Sequence, residues 1–266
     1  MALLLTLLLR FGQVSPSFVL ATTTSVENSG LLRSVTAAFT RETGIEVRII
    51  AVGSGKALRL AAAGDAQAVI THDPGAEAAF VKRHGARLYR PFLWNDFVVV
   101  GPAGDPARVR GSRSAAEAFR RIHAARARFA SRNDHSGTHT REMSIWKAAG
   151  VDPKTNPRYL PLGQPMAALL RSADEIGAYT LTDRATFAQI GPRVRLTVLF
   201  EGDPALRNVY AITLPRPARG GRAAAHAAQF AAWLLSPKGR RAIEAFRLDG
   251  RQQFFWLEER PDRSGV

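Results

Sequence analysis

Short apolar runs alternate with stretches of helical periodicity along this chain, and that alternation restricts its fold more than any other feature. Residues 18–21 read as a strand, followed by a loop through Asn28, Ser29 and Gly30. Leu31, Leu32, Val35, Ala38 and Phe39 then fall on one helical face, with Gly44 as the cap. Residues 45–52 and 66–71 read as further strands, with helices over 56–63 and 76–84. Strands and helices in turn predict parallel β/α units rather than an all-β domain. Residues 94–100 change the rhythm: Phe97-Val98-Val99-Val100, closed by Gly101-Pro102, reads as a buried crossing strand. A basic helix (114–126), a strand (127–131) and a helix (140–149) follow. Then come a helix-to-strand passage at 175–181, a helix from 182 to near Gly191, and strands at 194–200 and 209–214. Two C-terminal helices, 222–235 and 238–246, are parted by Ser236-Pro237.

A chain of 266 residues can bury one large core or two modest ones. Its 46% apolar and 22% charged residues suit a soluble globular protein, and no apolar run is long enough to predict a membrane span. The formal charge of +15 would suit nucleic acid, an anionic membrane surface or the steering of small anions. The arginines are scattered and no basic stripe interleaves with aromatics, so a solvated Arg-rich surface is the plainer account and no nucleic-acid partner is expected. Cysteine is absent, which excludes disulfides, a thiol nucleophile and Cys-ligated zinc, and fits an exported bacterial protein. Residues 1–9 are almost wholly apolar, Arg10 interrupts them, and Ser15-Pro16-Ser17 breaks the pattern. Residues 1–17 read as a secretory signal with an atypical start or as a disordered N-terminal segment.

Three segments repeat one device: an apolar strand, then hydroxyls or glycine, then a helix. They are Thr22 to Ser25, Gly53-Ser54-Gly55 and Ser136-Gly137-Thr138. Each offers backbone N–H groups and a hydroxyl to an anion, with the helix dipole assisting. One such segment alone is equally an ordinary N-cap; three, with Arg132 just after a strand, point to an oxyanion clamp. Hydrogen bonds to a charged group contribute roughly 1.5–3 kcal/mol each, so seven or eight are enough to reach the roughly 12 kcal/mol of nanomolar binding. Arg132 has a competing reading as an ion pair with Asp134. Asp134, Ser136 and His139 invite comparison with a hydrolase triad, but no G-x-S-x-G elbow frames Ser136 and residues this close in sequence rarely attain that geometry. His135 and His139 lack the Glu of H-E-x-x-H, and His72-Asp73 is a lone pair ahead of a proline, so no metal site is expected. Neither a phosphate-binding P-loop nor a dinucleotide fingerprint is present.

Several stretches together resemble a known family. They are Ala21 to Ser25, Ser29 to Leu32, Val52 to Leu58, His72-Asp73-Pro74, Asn95 to Pro102, Ser136 to His139, Ile145 to Gly150, Gly177 to Arg184 and Glu201 to Pro204. The chain resembles the bacterial tungstate-binding periplasmic proteins of ABC transporters over roughly residues 18–246. The resemblance implies an α/β, two-lobe type II periplasmic-binding-protein fold with the ligand in the interlobe cleft. Lobe I would comprise residues 18–95 and 200–266, and lobe II residues 96–199. It implies no catalysis and no cofactor. A monomer would bind tungstate, or molybdate, and deliver it to an ABC transporter permease at the periplasmic or extracellular face of the bacterial membrane. Carried over by motif, the ligand residues are Thr23, Thr24, Ser54, Arg132 and Thr138, with Ser136 and Gly137 as helper donors. His135 stands where an acid is expected and Asn133 where glycine is common, and the surface is more basic than the family's. The alternatives are sulfate or phosphate binding, the effector domain of a transcriptional regulator, and an anion-handling transferase. The roughly twenty residues before the first strand are too few for a helix-turn-helix. A transferase would need a base near the cleft. An Asp134 carboxylate pointing into the cleft would favour phosphate, which keeps a proton that needs an acceptor.

Overall fold

The computed structural model describes residues 15–134, 136–216, 221–248 and 250–258; the expectations for residues 1–14 and for His135 lie outside these. The first lobe is built around β1 (Ser17–Thr23), β2 (Glu46–Val52) and β3 (Ala68–Thr71). β1 pairs in parallel with β2 on one side and β3 on the other. β1 alternates between two buried faces. Phe18 and Leu20 join a core with Leu31, Val35, Phe39 and Phe230, while Ala21 faces Ala57, Leu58, Val69 and Phe80. A strand covered on both faces has no polar side, which explains the unbroken apolar run.

Helices α1 (Thr24–Ser29), α2 (Leu31–Thr43), α3 (Ser54–Ala63) and α4 (Pro74–His84) connect and cover these strands. α1 corrects the expected loop at Asn28 to Gly30. Gly30, at φ 80°, caps α1 and immediately precedes α2, so two helices meet at one left-handed residue that glycine accepts without strain.

Strand β4 (Ala86–Pro102), 17 residues long, is more than twice the length expected from its apolar centre. Its first part, to Asp96, pairs antiparallel with β9 (Arg207–Pro215), which itself pairs with β3. From Phe97 onward β4 changes partners to β7 (Thr180–Asp183) and β8 (Leu196–Phe200). Between these lie α5 (Ala115–Ala124), β5 (Phe129–Ser131), α6 (Gly137–Ala149), β6 (Tyr159–Pro161), α7 (Met166–Ile176) and α8 (Arg184–Ile190). β5 pairs in parallel with β6 as a two-stranded sheet, and an isolated bridge links its Phe129 to Tyr179 just before β7. Neither β6 nor most of α7 is evident in the sequence, because Pro161, Gly163 and Pro165 obscure the periodicity there. Phe97 and Val99 pack on the α5–α6 side of the β4–β7–β8 pairing, Val98 and Val100 on the α7 side. Helices α9 (Arg222–Leu234) and α10 (Pro237–Ala245) return to the first lobe, where Phe230 and Leu234 enter its core.

Trp146 anchors the second lobe. It is 1% exposed, with ring centroids 4.5 Å from Phe119 and 5.1 Å from Phe129. Truncating a fully buried Trp removes its transfer free energy and leaves a cavity, at a cost of about 3–5 kcal/mol. Trp146→Ala is expected to lower the unfolding free energy by that amount in urea denaturation followed by circular dichroism.

Candidate functional site

The carboxyl ends of β1, β2, β3 and β5 converge, and ligands in open α/β sheets bind beyond such ends. Thr23 closes β1, Gly53-Ser54 follow β2, His72 follows β3, and Arg132 follows β5. Together they line a cavity of about 230 Å³ with Thr24, Ser25, Asp134, Ser136, Gly137, Thr138 and Pro165. All seven residues singled out from sequence therefore meet at one place. The larger cleft beside Trp94 and Phe255, about 680 Å³, holds none of them.

Each lobe contributes hydroxyls and a helix start. Thr23 is the N-cap of α1 in extended conformation, and its Oγ1 is 3.1 Å from Ser25 Oγ. Gly53 caps α3, so Ser54 becomes the first helical residue, with its hydroxyl free of capping duty. Ser54 is 1% exposed and its Oγ has no hydrogen-bond partner among the described residues. A buried hydroxyl without a partner is unfavourable unless a ligand or water completes it. In the second lobe, Ser136 caps α6 by accepting from His139 N–H at 3.3 Å. The same hydroxyl also bonds the Asp134 carboxylate. α6 begins at Gly137, three residues earlier than expected, and places Gly137 and Thr138 in its first turn.

Arg132 is 5% exposed, so its guanidinium is almost wholly out of water. Its Nε donates to Asp134 Oδ2 at 3.1 Å and its Nη2 bonds the same oxygen. Asp134 Oδ1 accepts from Ser136 N–H at 3.1 Å. Burial pushes the Asp134 carboxyl up, but the bonds from Ser136 and Arg132 prevail and hold it below its ordinary value. The ion-pair and site readings of Arg132 are thus compatible: one edge of the guanidinium is fixed by Asp134, and the residue still lines the cavity. Asn133 adopts φ 41°, in the left-handed region, which asparagine enters more readily than most residues other than glycine.

The sequence reading missed Glu142, one turn into α6. It is 1% exposed and accepts from Ser131 Oγ (2.9 Å), Tyr159 OH (2.9 Å) and Trp146 Nε1 (3.3 Å). A bond from the Arg132 backbone N–H also reaches it. Glu142 therefore ties the end of β5, and with it Arg132, to α6 and β6. Its signal in the sequence was a carboxylate beside Ile145, Trp146 and Ala149 on the buried helix face. His72, read from sequence as a lone pair with Asp73 and not as a site residue, lines the cavity; it is 6% exposed, and burial pushes its imidazole down to about 4. Among the described residues no group of three or more His, Cys, Asp or Glu side chains could hold a metal ion, and no helix is long and apolar enough to cross a membrane.

A profile of the PBP superfamily domain matches residues 12–238. The chain belongs to that family. It is 35% identical over 234 residues to the tungstate-binding protein TupA of Peptoclostridium acidaminophilum, covering 87% of this chain and 82% of the relative. Among solved structures, the tungstate-binding protein TupA from Desulfovibrio alaskensis G20 is 38% identical with a TM-score of 0.80, covering 92% of this chain and all of that one. The tungstate ABC transporter structure from Geobacter sulfurreducens is 37% identical with a TM-score of 0.77, covering 86% and 98%. The PBP fold is the α/β, two-lobe type II architecture, and these relatives are named for binding and transport rather than for catalysis.

Burial raises the Glu142 carboxyl to about 7 in the folded protein, against an ordinary value of 4.5. A carboxyl held above its unfolded value binds a proton more tightly when folded, so this group's contribution to stability falls as pH rises from about 4.5 through about 7. Glu142→Gln is therefore expected to remove a fall in melting temperature across pH 5–7.5, visible as the difference between the two proteins' pH profiles in calorimetry.

Proposed function

We propose that this chain is an extracytoplasmic solute-binding protein that captures tungstate, with molybdate as its nearest analogue, and delivers it to an ABC transporter permease. The two lobes, 18–95 with 200–266 and 96–199, close over the anion from opposite sides. Thr23, Thr24 and Ser54 donate from the first lobe, and Arg132, Ser136, Gly137 and Thr138 from the second. The observation that carries this reading is the donor set of the cavity: Arg132 together with the unpartnered hydroxyl of Ser54. It accords with what the relatives in Peptoclostridium, Desulfovibrio and Geobacter are named for.

Asp134 lines the cavity, which by itself would favour phosphate. Both of its oxygens are engaged, by Arg132 and by Ser136 N–H, and its proton affinity is lowered. It is therefore a poor acceptor for the proton that phosphate retains at neutral pH. Tungstate, molybdate and sulfate carry no such proton, and the site suits a fully deprotonated dianion. The protein is a carrier, not an enzyme.

A thermal-shift panel of tungstate, molybdate, sulfate and phosphate tests the reading, because a ligand that binds only the folded state raises the melting temperature by mass action. Tungstate is expected to give the largest shift and phosphate none; a panel without a shift would refute the function. By calorimetry, Ser54→Ala is expected to weaken tungstate binding about tenfold, the loss of one charged hydrogen bond. Arg132→Lys, which keeps the charge but not the fork, is expected to weaken it about a hundredfold, about 2.7 kcal/mol.

A further inference from the structure

His72 faces the start of α6 across the cavity. On its own side its Nε2 lies 3.3 Å from Ser25 Oγ, which in turn meets Thr23 Oγ1 at 3.1 Å. Its ring rests against Tyr210 of β9, centroids 5.0 Å apart. Across the cavity lies Gly137, the first residue of α6. A Cβ built on Gly137 would sit 2.6 Å from His72 Cε1, 2.8 Å from Nδ1 and 3.2 Å from the His72 carbonyl oxygen.

Glycine at this position is not demanded by the backbone. Gly137 lies in the first turn of an α-helix and is not among the residues with positive φ. What excludes a side chain is the His72 ring, at a separation that Cβ atoms do not adopt in close-packed interiors. The ring can rest there uncharged: burial, Arg132 and Arg141 oppose its protonation, and together they outweigh Asn208 and Asp73. A neutral imidazole leaves the positive charge of the cavity to Arg132.

We infer that the His72–Gly137 contact is the stop against which the two lobes register when they close, with His72 the positioning residue that also seats Ser25 and Thr23. This rests on the cavity being the oxyanion site. Without a Cβ on Gly137, the first turn of α6 can bring Thr138 and the free N–H groups up to the hydroxyls of the first lobe. With a Cβ there, the lobes halt short of hydrogen-bond range, since these bonds weaken steeply beyond about 3.2 Å.

The chain has no cysteine, so a labelled pair can be introduced cleanly. Arg41→Cys in the first lobe and Lys154→Cys in the second are both at exposed positions. Spin labels there, read by pulsed electron resonance with and without tungstate, report the lobe separation for four proteins: the parent, Gly137→Ala, His72→Ala and the double variant. The parent is expected to show a short-distance population that Gly137→Ala loses and the double variant regains. In calorimetry, Gly137→Ala is expected to bind tungstate about a hundredfold more weakly, and the double variant no more weakly than His72→Ala alone. That non-additivity is the mark of a direct contact.

A Gly137→Ala protein with the parent's short-distance population, or two substitutions whose effects on affinity simply multiply, would overturn the inference. So would a parent with no short-distance population in either condition. Should Gly137→Ala not fold, a folded double variant supports the contact and an unfolded one refutes it. If tungstate binds none of the four, the proposed function fails, and the registry contact is judged on the ligand-free distances alone.

Discussion

Arg132 sits almost wholly out of water at the end of a three-residue strand, and a guanidinium there is tolerable only if its N–H groups are met. Asp134 meets one edge of it, and Ser136 N–H steadies Asp134 in turn. Behind them Glu142 accepts from Ser131, from the Arg132 backbone N–H and from Tyr159 of β6. The strand end, the cap of α6 and the buried face of that helix are therefore one connected polar unit inside an aromatic core. Breaking such a network at one member leaves the others unsatisfied in a low-dielectric interior, which is why its parts stand or fall together.

The first lobe reaches the same cavity by a different route. Its donors are hydroxyls at helix starts rather than a charge, and Ser54 is placed there with its Oγ unsatisfied. One lobe thus brings the cation with a fixed geometry and the other brings neutral donors. β4 and β9 run between the two, so the lobes are linked through paired strands rather than a flexible tether. At the point where β4 changes partners, buried Asn95 accepts from Asn208 and Tyr210, fixing the crossing by side-chain bonds as well as by the ladder. Domain closure about such a crossing needs rotation of only a few residues.

Much of this was written in local pattern. The parallel β/α rhythm, the Gly44 cap and the unbroken run Phe97 to Val100 are short-range signals, and each corresponds to an element of the fold. Errors fell where pattern and chemistry part. Ser29 reads as a loop residue but ends α1, because its hydroxyl returns to the Val26 carbonyl at 2.6 Å. α7 is masked by the prolines and glycine before it. The length of β4 is set by partners far along the chain, on β7, β8 and β9, and leaves no local trace.

The sequence by itself determined which groups could hold an anion: the hydroxyls and glycines at three helix starts and one arginine after a strand. These are properties of residue type and spacing, and they persist however the chain folds. Only the tertiary structure decided how those groups are used. Whether Asp134 is a free base or a clamp on Arg132, whether Glu142 is solvated or buried, and whether Gly137 serves the backbone or makes room for His72 all depend on contacts across the fold. Burial and distance are created by packing distant segments together, and no local sequence signal encodes them.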